Sequence, residues 1–354
     1  QKPAEIIDCG NSGTSIRLLA GLLAAQAFDS ELTGDESLLK RPMLRIAKPL
    51  AAMGAAINTV EGKPPIRIKG GQQLQGIDYE MPEVSAQVKS CILLAGLYAK
   101  GETSVIEKGV SRNHTELMLK SFGYPVAQTD HTVTVDSLGE CKGTTLTIPG
   151  DISSAAFFIV AATIIPNSNI IIRGVGVNPT RTGVIQILLQ MGANITLINQ
   201  RRSGEELVAD IQVQHAPLHG IEIPLEYVPL AIDEFPILFI AAACAKGKTI
   251  LHGAKELRVK ESDRIGVMAD GLTRLGIENI CYDDGIMIDG GTLLGGEVES
   301  GGDHRIAMSF AIAGAVAKDP VKIFDCANVA TSFPNFVSTA NSLHFRIKEL
   351  VDNV

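Results

Sequence analysis

The chain has 354 residues, of which 45% are hydrophobic and 20% charged, with a formal net charge of −8, no tryptophan and only 5% aromatic residues. This is the composition of a soluble globular protein with an aliphatic core, and the length predicts two domains. The acidic balance argues against a nucleic-acid or anionic-membrane partner, both of which need a basic surface, and leaves open a local basic pocket.

Six cysteines (Cys9, Cys91, Cys141, Cys244, Cys281 and Cys326) lie far apart with no CxxC pair and no Cys/His cluster. They are expected to be small buried hydrophobes in a reducing compartment, neither disulfides nor metal ligands. No signal peptide is visible, and the longest apolar run, AAFFIVAATII, is too short to span a bilayer, so the expected location is the cytoplasm.

Two signals alternate along the chain. The first is a segment that opens on polar, capping-type residues and then turns apolar on nearly every face. It occurs in chain order as GNSGTSIRLLAGLLAAQAF, VSAQVKSCILLAGLYAKG, GDISSAAFFIVAATIIPN, IDEFPILFIAAACAKG and GGDHRIAMSFAIAGAVAKD. Each predicts a buried helix, and each is followed by a β-rich stretch such as KTILHG or PVKIFD. The second signal is an amphipathic helix end, a glycine and the start of a strand, at Gly54, Gly123, Gly192 and Gly276, with spacings of 69, 69 and 84 residues. Glycine just past a helix end predicts a left-handed cap. A fifth copy, NSLHFRI, places His344 at the glycine position, 68 residues beyond Gly276. Arg41, Arg112, Arg181 and Arg264 precede the four glycines by 13, 11, 11 and 12 residues, about three helical turns.

The predicted unit is strand, buried helix, strand, surface helix, strands, of about 70 residues, an α/β plan with one sheet per unit. Five buried helices are visible and the chain opens on Gln1 just before the first. This leads us to expect that an earlier unit has been removed; a natural five-unit protein is the alternative.

The polar starts of the buried helices are the places to look for chemistry, because helix N-termini offer unpaired N–H groups and partial positive charge to anions. Arg17 and Lys89 lie near such starts, Arg41, Arg112 and Arg264 at the starts of the other helices, and Arg305 follows Asp303 and His304. The pattern predicts a small polyanionic ligand. The residues also allow blander readings. ELRVKESDRIG is, taken alone, a solvated charge run capping a helix. Asp233 and Glu234 in IDEFP are simple N-capping carboxylates, His304 is a core histidine bonded to backbone, and GNSGT is a short turn.

Ten ordered blocks, GNSGTSIRLL, LTGDESLLKRPM, VSAQVKSCILLAG, SRNHTELML, GDISSAAFF, NPTRTG, IDEFPILFIAAA, ELRVKESDRI, DHRIAMSFAIAG and VATSFPNF, resemble motifs of the EPSP synthases (3-phosphoshikimate 1-carboxyvinyltransferases) across nearly the whole chain. SAQVKS, SRNHTE and VATSFPNF resemble the bacterial class II branch. The resemblance implies the two-domain enolpyruvyltransferase fold, an inside-out α/β barrel built from repeated βαβαββ units. Residues 1–148 would be a partial N-terminal domain with two of three units, and 149–354 the C-terminal domain, with the active site in the cleft between them. The first unit would carry the family's Lys-Ser-x-x-x-Arg motif, so a chain with these boundaries is expected to be impaired.

The implied function is transfer of the enolpyruvyl group of phosphoenolpyruvate to the 5-hydroxyl of shikimate 3-phosphate, in the shikimate pathway of aromatic amino-acid biosynthesis. The implied protein is a monomer with no cofactor and no metal. Carried over by motif, Gly13, Arg41, Gln87, Arg264 and Arg305 resemble phosphoenolpyruvate ligands, with Asn11 and Arg17 flanking the same site. Ser85, Ala86, Gln87, Ser111, Arg112, Asp233 and Lys260 resemble shikimate 3-phosphate ligands. Asp233 resembles the base for the hydroxyl proton and Glu261 the acid at C3, a role that calls for a carboxyl raised toward neutrality. Glu256 departs from relatives with Asn at that position, and Thr331 stands where others carry Lys; neither is assigned a role. Two alternatives stay open. A UDP-N-acetylglucosamine enolpyruvyltransferase shares fold and chemistry but carries a loop cysteine that SLLKRPMLRI lacks; an inert polyanion-binding fragment is the other.

Overall fold

The computed structural model describes residues 2–350. The chain divides into two compact units, Gln1–Leu146 and Thr147–Val354.

The first unit runs β1 (Ile7–Asp8), α1 (Gly13–Leu23), β2 (Ser30–Thr33), α2 (Leu44–Ala52), β3 (Ala56–Val60) and β4 (Lys63–Lys69). It continues with β5 (Asp78–Glu80), α3 (Ala86–Gly96), β6 (Thr103–Ile106), α4 (His114–Ser121), β7 (Ala127–Thr129) and β8 (Thr132–Val135). The two passes build the same sheet twice, β1-β2-β4-β3 and β5-β6-β8-β7. In each, the first pair is parallel across a helical crossover and the others are antiparallel.

The second unit runs α5 (Ile152–Ile164), β9 (Asn169–Gly176), α6 (Gly183–Gln190), β10 (Asn194–Ser203), β11 (Glu206–Gln214), α7 (Phe235–Ala243) and β12 (Lys248–Leu251). It continues with α8 (Arg264–Arg274), β13 (Asn279–Tyr282), β14 (Gly285–Asp289), β15 (Gly296–Glu299), α9 (His304–Ala313), β16 (Val321–Phe324), α10 (Val329–Ser332) and α11 (Phe336–Ser342). Its sheets are β10-β11-β9, β12-β14-β13 and β15-β16. The opening strand of the first two repeats here shrinks to isolated parallel bridges, Gly150 with Val175 in one, and His219 with Lys246 and Glu222 with Ile250 in the other. Pro149 and Pro224 lie beside these bridges, and neither can donate to a ladder.

All five apolar segments form helices, and the reason is local. Ser12, Ser85, Asp151 and Asp303 each accept a backbone N–H from the first turn, which ties off the polar end of an otherwise apolar cylinder. Every residue of α7 is buried, and all but one of α5. In the first unit the core gathers around α1 and α3, in the second around α5, α7 and α9. The caps of the surface helices also follow the pattern: Gly54, Gly123, Gly192 and Gly276 all have positive φ. His344 takes the same left-handed conformation, with φ 69°. No strand follows it within the described residues; Phe345 and Ile347 pack instead against the core of the second unit.

The cysteines correct the expectation in part. All six are free thiols and Cys91 is fully buried, but Cys141, Cys281 and Cys326 are exposed. Cys281 and Cys326 lie on or beside short edge strands, where alternate residues face water. Among the described residues no helix is long and apolar enough to cross a membrane.

A close helix contact in the first unit runs through Gly21 of α1, where a Cβ would stand 2.1 Å from the Cys91 carbonyl oxygen of α3. That backbone cannot yield without moving a whole helix. Gly21→Ala is expected to cost about 2–3 kcal/mol through overpacking, read as a lower urea midpoint with an unchanged slope.

Candidate active site

In the first unit, a polar cluster forms where α1 and α3 begin. Ser12 caps α1, so the chain turns sharply there, and Gly13 opens the helix beneath two guanidinium groups. A Cβ on Gly13 would stand 2.9 Å from Nη1 of Arg41 and 3.0 Å from Nη1 of Arg17, which leaves no room for a side chain. Arg17 donates to Gln87 Oε1 at 2.5 Å and to the Pro42 carbonyl at 3.2 Å. Gln87 in turn donates to Thr14 Oγ1 at 2.8 Å. Arg41 donates to Asn11 Oδ1 at 3.0 Å, and Asn11 to Asp35 at 2.7 Å. Burial, with Arg45 and Arg41 nearby, lowers the Arg17 guanidinium to about 10. Two cations beside one helix N-terminus make an anion-receptive site.

Ser85 caps α3 through Val88 N–H, and Ala86 and Gln87 form the first turn behind it. Ser111 and Arg112 lie on the β6–α4 connection, and among the described residues the buried Ser111 hydroxyl has no hydrogen-bond partner. Lys89 departs from expectation. Its Nζ does not serve a polyanion but lies 2.7 Å from Glu107 and 2.7 Å from Glu116, inside the unit. The spacing placed it near a helix start, but not on the face that looks away from solvent.

The second unit assembles a denser cluster. Arg264, the first residue of α8, is 1% exposed and meets three carboxylates: Asp303 at 2.8 Å, Glu261 at 2.7 Å and Asp233 at 3.5 Å. Lys260 Nζ sits 3.6 Å from Asp233 and 2.6 Å from Glu256. Arg305, in the first turn of α9, donates to the Asp233 carbonyl at 3.2 Å. Burial would lower Arg264, yet Asp303 and Glu261 beside it raise its guanidinium above the ordinary value. Burial would likewise raise Asp303, but Arg264 and the Arg305 N–H hold its carboxyl below the usual range. Burial and the neighbouring Arg305 lower His304, favouring the neutral ring.

The blander readings are decided residue by residue. Within ELRVKESDRI, Asp263 does cap α8, accepting from Gly266 N–H at 3.0 Å, and Glu256 is exposed, while Arg264 is sealed in the interior. A 3₁₀ turn over Lys255–Val259 makes the difference, held by Arg258 to Asp263 and to the carbonyls of Tyr282 and Asp283. Glu234 occupies the N-cap position of α7 but makes no side-chain cap. It is 1% exposed, accepts from Ser153, and lies 3.9 Å from both Arg181 and Arg305; burial raises its carboxyl against the pull of those arginines. The roles of Glu234, Asp303 and the Glu107/Glu116 pair were not read from sequence. The one available signal was charge inside apolar runs, which identifies no partner.

The structure therefore gathers Gly13, Arg41 and Gln87 in one cluster and Asp233, Lys260, Glu261, Arg264 and Arg305 in another, while Ser111 and Arg112 stand on a separate loop. Fold and clusters together define an α/β protein of repeated units that gathers arginines and carboxylates at its helix N-termini.

Residues 1–339 match the EPSP synthase (3-phosphoshikimate 1-carboxyvinyltransferase) family. The chain is 68% identical over 349 residues to the 3-phosphoshikimate 1-carboxyvinyltransferase of Legionella pneumophila (strain Lens), covering 99% of this chain and 81% of that protein. It is 60% identical to that of Methylococcus capsulatus, over 98% of this chain and 79% of that one. The solved EPSP synthase of Acinetobacter baumannii superposes with a TM-score of 0.90 at 55% identity, covering 97% of this chain and 79% of its own. The chain belongs to the EPSP synthase family and has the enolpyruvyltransferase fold. Neither the UDP-N-acetylglucosamine transferase nor the inert-module alternative is favoured by these matches.

Asp303 generates a prediction about acid stability. Its carboxyl is depressed, so the Arg264 pair stabilises fully above the unfolded-state pKa and is lost as pH falls through the folded one. Asp303→Asn should cost about 3 kcal/mol at pH 7, because it leaves a buried guanidinium under-compensated. Denaturation midpoints of the two proteins should converge below about pH 4; a gap that stays constant with pH would contradict the ionic assignment.

Proposed function

We propose that this protein transfers the 1-carboxyvinyl group of phosphoenolpyruvate to the 5-hydroxyl of shikimate 3-phosphate and releases phosphate. The observation that carries this reading is the convergence of Asp233, Lys260, Glu261, Arg264 and Arg305 at the starts of α7, α8 and α9.

The chemistry assigns each group a task. Asp233 takes the proton of the 5-hydroxyl as its oxygen bonds to C2 of phosphoenolpyruvate. Glu261 delivers a proton to C3, which becomes a methyl group in a tetrahedral intermediate. The C2–O bond to phosphate then breaks while C3 returns a proton, restoring the double bond as an enol ether. Arg264 and Arg305 hold the carboxylate and phosphate of phosphoenolpyruvate, and Arg264 is held in place by Asp303 behind it. Gly13, Arg41 and Gln87 supply further phosphoenolpyruvate contacts, because Gly13 leaves both guanidiniums room to approach an anion. Ser85, Ala86, Gln87, Ser111, Arg112 and Lys260 take shikimate 3-phosphate, for which the unpartnered Ser111 hydroxyl is a ready donor. Preorganised cations contribute the larger share of barrier lowering and the two carboxylates the proton transfers. The protein works as a cytoplasmic monomer in this reading, which sedimentation would test.

Two substitutions in the full-length protein test the assignment. Asp233→Asn should leave both substrate affinities nearly intact and lower turnover by about 10²–10⁴; lost affinity at unchanged turnover would assign Asp233 to binding alone. Arg305→Ala should weaken phosphoenolpyruvate by about 1.5–3 kcal/mol and leave shikimate 3-phosphate alone almost as tightly bound. Calorimetric titration of each ligand separates the two, and equal losses would overturn the division of labour.

A further inference from the structure

Lys89, Glu107 and Glu116 form an ion triad with side chains only 2%, 8% and 1% exposed, one cation between two carboxylates. Taking three ions out of water is costly, and apolar residues of similar size would fill the same space at least as stably. What the triad accomplishes is geometric. Lys89 lies on α3, two residues beyond Gln87 and four beyond Ser85. Glu107 follows the last residue of β6, and Glu116 sits in the first turn of α4. The two carboxylates therefore bracket the segment that carries Ser111 and Arg112.

Glu116 and Leu119 are the only buried residues of α4, and Asn113 in its N-cap position makes no side-chain cap. Beyond the triad, Ser90 of α3 meets Thr115 through hydroxyls 2.6 Å apart. Within the bracketed segment the Ser111 hydroxyl is buried without a partner among the described residues.

We propose that Lys89, Glu107 and Glu116 are positioning residues for shikimate 3-phosphate. The triad fixes both ends of the Ser111–Arg112 segment against α3 and so sets the distance of those side chains from Ser85, Ala86 and Gln87. The inference rests on the substrate reading given above, and its test keeps the two apart. The triple variant Lys89→Met, Glu107→Gln, Glu116→Gln removes every charge together and leaves no buried ion unpaired. Steady-state kinetics of the full-length protein should show the KM for shikimate 3-phosphate raised about tenfold, with the KM for phosphoenolpyruvate changed less than about twofold and a cooperative melting transition retained.

Arg112→Ala serves as the control. If it raises the KM for shikimate 3-phosphate while the folded triple variant keeps the wild-type value, the triad does not position the segment and the inference is overturned. A triple variant that raises both KM values alike overturns it too, since general loosening would explain that. If Arg112→Ala and the triple variant both leave that KM unchanged, the substrate reading fails and takes the inference with it. Should the triple variant not fold, Glu107→Gln alone decides on the same criterion at about threefold, because it keeps Lys89 paired with Glu116.

Discussion

A helix that is apolar on every face can exist in water only when other elements enclose it, and its ends are then the only places where polar groups reach the surface. Here α5 and α7 are of that kind, and α1, α3 and α9 come close to it. Enclosure requires a sheet and a second helix per repeat, which is why the plan recurs, in full as β1-β2-β4-β3 and β5-β6-β8-β7 and in reduced form in the second unit. It also confines polar chemistry to the N-terminal turns, where unpaired N–H groups already favour anions. The clusters around Gly13 and around Arg264 are two outcomes of that single constraint.

Cations are buried here in two different ways. Arg264 is surrounded by Asp303, Glu261 and Asp233, yet Asp233 and Glu261 each keep part of their side chains exposed, so the group is held without being sealed off. Lys89 is closed off with Glu107 and Glu116 and faces no solvent. The difference follows from position along the helix. Arg264 is the first residue of α8, beside the polar rim, whereas Lys89 is a full turn into α3, where the surroundings are core. Arg17, a turn into α1, is intermediate: buried, yet linked to the rim through Gln87.

Glu234 illustrates the same point with the opposite charge. As a free carboxylate before α7 it would cap the helix, but Phe235 and the apolar run behind it pull the start of α7 into the core. The side chain follows and finds Ser153, with Arg181 and Arg305 near, in place of its own backbone. It thereby becomes a link among the starts of α5, α6, α7 and α9.

Periodicity and capping chemistry in the sequence were enough to determine the repeat, the five buried helices and the left-handed caps at Gly54, Gly123, Gly192 and Gly276. Those features depend on residues within a few positions of one another. His344 in the fifth copy adopts the same conformation without glycine, so the pattern of surrounding residues carried more information than the glycine itself. Motif resemblance marked which polar residues to watch; most of those near α1 gather within the first unit, and most of those at the starts of α7, α8 and α9 gather within the second. Only the tertiary structure decided which charges pair. Whether Lys89 serves a ligand or Glu107 and Glu116, and whether Glu234 caps a helix or bridges several, depends on residues 18 to 81 positions apart. In a low-dielectric interior a charge takes whichever partner the packing brings within reach, and packing is a property of the whole unit that no local window of sequence contains.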